Sequence, residues 1–185
     1  MEVKGTALKT TRDYVKTNFP NDFKKWLDRL PDESRKYYDG VINSTEWYDI
    51  QDGYIKPIEL ITEMFFEGDA KKCGDTLGQY SADVALKGFY KVFIMMASPK
   101  ALIQRATKIV TTFYQPSEVE AISISPNSAG LKITKFDVMN TALEYRFAGW
   151  CKKALELSNC KNVTYSIKSS LTKKDSCSEI IYTWE

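Results

Sequence analysis

Histidine is absent from all 185 residues. That single absence removes histidine-based nucleophile dyads and triads, imidazole general-base chemistry, histidine-ligated zinc and a histidine-ligated haem iron. The four cysteines, Cys73, Cys151, Cys160 and Cys177, stand far apart without a CxxC pair. Reduced thiols are the expectation for such spacing. Asp83 and Lys87 lie one helical turn apart, as ordinary surface salt links also do. No glycine-rich phosphate loop and no nucleophile elbow occurs. No catalytic residue is expected, and no enzyme.

A different chemistry, binding without reaction, suits the stretch "GQYSADVALKGFYKVFIMMASPKALIQRA". Ser81, Ala85 and Gly88 recur at helical spacing, and their small side chains would leave room beside Phe89 and Val92. Val84 and Met96 share that stripe, and Phe147, Trp150 and Cys151 follow on a later helix. These ten residues are the candidate lining of a pocket for a small apolar or amphipathic molecule. The competing reading is plain core: small residues let helix backbones approach, methionines fill gaps, and a buried thiol behaves as a small hydrophobe. Trp47, Tyr48 and Tyr54 would lid such a pocket, form a partner surface, or simply anchor their loop. Lys152, Lys153, Lys173 and Lys174 read as a solvated edge.

Composition narrows the class. The chain is 43% apolar, enough for one sizeable core, and its length favours a single domain over residues 1–185. No apolar run reaches the roughly 20 residues of a membrane span, and the N-terminus lacks a secretory pattern. A cytoplasmic protein is expected. Net charge is +2, from 26 basic and 24 acidic residues, with no block of one sign. That is no footprint for nucleic acid.

The elements that must position these residues follow from periodicity. Helices are predicted over 6–19, 23–30, 32–39 and 57–67, punctuated by Pro20, Pro31, Gly40 and Gly68. The aromatic stretch 41–55 reads as a loop with little regular structure. Asp69 is a plausible N-cap for a long segment, whose stripes over 77–96 are apolar on two sides, as in a central helix. Ser98 before Pro99 restarts a helix over 99–113. After Pro116, "EVEAISIS" and "LKITKF" alternate as a hairpin across "PNSAG". A helix over 138–158 follows, then "NVTYSIK" and "CSEIIYTW" as a second hairpin. Sequential hairpins favour an antiparallel sheet of about four strands. The expected class is α+β, with a helical part over 1–115 and a ββαββ part over 116–185.

"VKGTALKTTRDYVKTNF", "SADVALKGFYKVFIMMASPKALIQRATKIVTTFY" and "GWCKKALELSNCKNVTYSIKSSLTKKDSCSEIIYTW" together cover nearly the whole chain. In this order they resemble the superfamily of haem-nitric-oxide-binding (H-NOX) sensor domains, 4-vinyl-reductase-type domains and TRAPP small subunits. Within it, the likeness is greatest to a group of bacterial domains common in myxobacteria. The resemblance implies a helical layer against an antiparallel sheet, often with an interior pocket. Haem-binding relatives use a proximal histidine and a Tyr-x-Ser-x-Arg motif. The first is absent here, and Tyr165-Ser166-Ile167-Lys168 does not reproduce the second. The resemblance thus implies no haem. TRAPP relatives carry an acyl chain on a cysteine before the matching helix, which brings Cys73 into view about two positions from the expected offset. Zinc-binding relatives use late Cys and His residues, whereas Cys151, Cys160 and Cys177 lack a fourth ligand. The expected function is a haem-less sensory or regulatory domain that binds a small molecule. The alternative is a TRAPP-like protein-interaction module, a homodimer without ligand.

Overall fold

The computed structural model describes residues 1–86 and 98–185. The chain adopts the expected α+β class. Strand β1 (Glu2–Lys4) leads into α1 (Gly5–Asn18), followed by the short helices α2 (Phe23–Arg29) and α3 (Asp32–Tyr38). Strand β2 (Trp47–Asp49) and a π-helical turn (Gln51–Ile55) then precede α4 (Lys56–Phe65) and α5 (Ala70–Leu86). Next come α6 (Pro99–Phe113), β3 (Tyr114–Gln115), β4 (Glu118–Ser125), β5 (Ser128–Lys135), α7 (Thr141–Leu157), β6 (Thr164–Ser169) and β7 (Ser178–Thr183).

The starts of the helices are chemically specified. The Asp69 carboxylate accepts from the amides of Lys71 and Lys72, both at 3.0 Å, and so caps α5. Ser98 accepts from the Ala101 amide at 3.3 Å with Pro99 at the first helical position. Asn140 accepts from the Leu143 amide at 2.9 Å. Each cap satisfies donors that a helix start leaves without partners. The long segment expected to open at the Asp69 cap begins at Ala70, where that cap places its origin.

Four antiparallel strands form the main sheet in the order β4-β5-β7-β6. Alternation decides its buried face. Leu131 and Ile167 both stand opposite Ile180, and Ala129 and Tyr165 both stand opposite Tyr182. Helix α7 covers this face, and the Tyr182 hydroxyl reaches the Phe147 carbonyl at 3.4 Å. The buried carboxylate of Glu144 holds the same helix to the β6–β7 connection, accepting from Ser170 Oγ at 2.8 Å and from Ser178 Oγ.

Helix α5 packs on α7 with the backbones in contact. A Cβ on Gly74 would lie 2.9 Å from the Ala142 carbonyl carbon, and one on Gly78 would lie 2.8 Å from the Trp150 amide nitrogen. Only glycine permits this approach, since real Cβ atoms essentially never come so close. Small residues therefore do serve close helix packing, but one and two turns before the Ser81–Ala85 pair.

The segment 41–55 departs from expectation. It holds strand β2, which pairs with β1, and β1 pairs in turn with β3 to give a small sheet ordered β2-β1-β3. Three-residue strands carry too little alternation to stand out, and their pairing joins positions more than forty residues apart. The anchors of this segment are Ile42, Ile50, Tyr54 and Ile55, all buried, whereas Trp47 and Tyr48 are half-buried. Among the described residues, no helix is long and apolar enough to cross a membrane.

Candidate functional site

A cavity of about 270 Å³ lies where α1, the π-helical turn, α5, α6, β3 and α7 converge. On α7 the lining residues are Arg146, Phe147, Trp150 and Cys151, spaced to fall on one helical face. On α6, Ile109, Val110 and Phe113 repeat the same spacing, with Ala106 one turn earlier. Ser81 and Ala85 on α5 face them, one turn apart. Both expected contributors, the central helix and the late helix, thus meet at one space.

Of the ten residues read from the sequence as pocket lining, Ser81, Ala85, Phe147, Trp150 and Cys151 border the cavity. Val84 does not, and this corrects its assignment: it is 47% exposed, because one step along the helix from the Ser81–Ala85 line rotates a side chain by about a hundred degrees. Gly88, Phe89, Val92 and Met96 lie outside the described residues. Cys73 is fully buried, borders no part of the cavity, and has its thiol pushed up to about 11 by burial. A protonated, enclosed thiol is a poor acyl acceptor.

Tyr114 and Arg146 line the cavity without any sequence signal for a pocket, whereas Tyr54 is one of the aromatics expected to lid it, form a partner surface or anchor its loop. Tyr54 from the π-helical turn and Tyr114 from β3 bring their hydroxyls within 2.9 Å of each other, in full burial. Burial raises both phenols above the ordinary tyrosine range, most strongly Tyr114, and Arg146 opposes the shift at each. Arg146 itself is buried. Its Nη2 donates to Ser81 Oγ at 2.7 Å and its Nη1 to Thr11 Oγ1 at 3.4 Å. The guanidinium carbon stands 5.0 Å from the centroid of the Tyr54 ring, a cation–π distance. One end of the cavity is therefore polar and cationic, formed by Arg146, Ser81, Tyr54 and Tyr114. Thr6 and Thr10 of α1 also line the cavity, with their hydroxyls donating to the Ser44 and Thr6 carbonyls, and the rest of the lining is mainly apolar.

Cys151 borders the cavity with its thiol held protonated, pushed up to about 12 by burial. Among the described residues, no group of three or more cysteine or acidic side chains is placed to hold a metal ion.

Comparison with known proteins gives a fold. No family model matches the chain, and no curated protein matches it. Solved structures do. An H-NOX protein from S. oneidensis in the Fe(II)NO ligation state superposes with a TM-score of 0.75 at 12% identity, over 98% of this chain and 99% of that one. The Fe(II) unliganded H-NOX protein from K. algicida gives 0.71 at 14% identity, over 98% and 96%. A mutant of T. Tengcongensis H-NOX gives 0.60 at 16% identity, over 98% and 97%. At these identities the likeness establishes an H-NOX-like fold.

The residues present do not suit an iron porphyrin. The chain offers no histidine. The sulfur and phenol side chains on the cavity wall are Cys151, Tyr54 and Tyr114, and the two phenols are already hydrogen-bonded to each other. Scale disagrees as well: a dry cavity of about 150 Å³ accommodates benzene. A space of about 270 Å³ then suits roughly ten non-hydrogen atoms, far short of a porphyrin.

Proposed function

We propose that this chain is a single, haem-less sensory or regulatory domain, responsive to a small apolar or amphipathic molecule held between α5, α6 and α7. The observation that carries the reading is the cavity itself, an apolar space with one polar end, set among three helices that also carry the core. Fold similarity to H-NOX proteins supports it, because structures of those proteins are described by what is bound, Fe(II)NO in one and unliganded Fe(II) in another. As parts of the same proposal, the domain works in the cytoplasm, catalyses no reaction and hands its signal to a protein partner.

The route for a signal runs through α7. Phe147 faces the cavity with its side chain while its carbonyl accepts from Tyr182 on the sheet. One turn earlier, Glu144 grips the β6–β7 connection through Ser170 and Ser178. A ligand that favours one packing of α7 against the sheet over another would shift the population between them.

Native mass spectrometry of the freshly purified full chain tests this, paired with thermal melts in 1-octanol. A retained small molecule, or a melting midpoint raised by 1-octanol and no longer raised in Ala106→Phe, is the expected result. No adduct and no shift would overturn the reading. A dimer by light scattering, indifferent to ligand, would favour the interaction module instead.

A further inference from the structure

Arg146 presents a charge problem that the fold leaves open. It is 4% exposed, and no Asp or Glu among the described residues forms an ion pair with it. Residues 87–97 contain no acidic side chain to supply one. A guanidinium has five N–H donors and no acceptor, yet its hydrogen bonds among the described residues go to two hydroxyls, Thr11 and Ser81. Buried charges are ordinarily paired, because desolvating an isolated ion is costly. The tyrosine pair beside it leaves a second donor. Two hydroxyls share one hydrogen bond between Tyr54 and Tyr114, so one O–H proton has no acceptor among the described residues.

Resting on the pocket reading above, we propose that the ligand is a monoanionic amphiphile whose carboxylate is taken by Arg146. The planar guanidinium matches a carboxylate through paired N–H donors. Ser81 and Thr11 hold that plane from behind, and the spare tyrosine proton completes the anion's shell. One buried positive charge neutralises one negative charge, so a dianionic phosphate would enter with a charge left over. The tail lies along Ile109, Val110 and Phe113 on one side and Phe147 and Trp150 on the other. The volume suits a chain of about ten non-hydrogen atoms including the headgroup.

Titration calorimetry of the full chain at neutral pH, with octanoate and its neutral counterpart 1-octanol, tests the assignment. Octanoate is expected to bind about tenfold or more tighter than 1-octanol, the scale of a charge-assisted hydrogen bond. Arg146→Lys should retain a preference for octanoate, and Arg146→Met should abolish it while leaving 1-octanol binding in place. Thermal melts separate a binding role from a structural one. A ligand-directed arginine predicts that unliganded Arg146→Met melts at or above the wild-type temperature, since an uncompensated buried charge is gone. A much lower midpoint assigns the arginine to the scaffold and overturns the proposal. If both ligands bind wild type equally, the pocket stands and the anion assignment falls. If neither binds, both fall.

Discussion

Gly78 on α5 lies directly against the carbonyl of Arg146 on α7, so close that a Cβ would stand 2.8 Å from the next turn's Trp150 amide. The contact brings Ser81, three residues further along α5, to the arginine's guanidinium at 2.7 Å. Helix packing and the polar end of the cavity are therefore one construction. The missing Cβ fixes the spacing at which the hydroxyl reaches the cation.

Gly78→Ala should consequently destabilise the protein by about 3 kcal/mol or more, since backbone cannot yield as a flexible side chain would. Gly40→Ala is the control. Its Cβ would find nothing nearer than the Lys36 carbonyl oxygen at 4.0 Å, and the change should stay within about 0.5 kcal/mol. Urea unfolding of both variants reads the difference; equal midpoints would contradict the packing described.

The Tyr54–Tyr114 pair lends itself to a double-mutant cycle. Either single change to Phe strands the partner hydroxyl in a buried setting, at about 1–3 kcal/mol. The double change removes both polar groups together, so its cost should fall clearly below the sum of the singles. Strict additivity in denaturant unfolding would show that the two hydroxyls are not coupled.

Alkaline pH should loosen the fold. Burial raises the thiols of Cys73 and Cys151 from 9.0 to about 11 and about 12, and the phenol of Tyr14 from 10.0 to about 12. Between pH 9.0 and about 12 the unfolded chain sheds these protons while the folded chain keeps them. With fewer protons bound in the unfolded state, stability falls as pH rises. It is fully present below pH 9.0 and lost through the folded values. Integrated across that window, Cys151 alone accounts for a loss on the order of a few kcal/mol. Cys151→Ala should show a shallower decline of the urea midpoint across this window, and an unchanged slope would count against burial as its cause.

Much of this molecule is legible from local pattern. Asp69 and Ser98 mark helix starts because capping needs only a side-chain oxygen and an amide two or three residues away. Alternation in "EVEAISIS", "LKITKF" and "CSEIIYTW" marks strands because the pleat repeats every two residues. Ser81, Ala85, Phe147, Trp150 and Cys151 can be proposed as a wall because helical spacing gathers them onto faces. Val84 misleads because a pattern of small and apolar residues does not set helical phase to within one position. The small sheet β2-β1-β3 escapes because its strands are three and two residues long and pair across wide separations.

What the sequence alone determined, then, is the α+β order, the caps, the faces and the exclusion of histidine chemistry, all consequences of neighbours within a turn or a strand. Only the tertiary structure decided where charge sits. Arg146 reads in sequence as an ordinary helix cation. It becomes a buried guanidinium because Thr11, Tyr54 and Ser81, from three other elements, close around it. Burial and pairing of a charge depend on contacts up to 135 residues apart, and no local pattern encodes those.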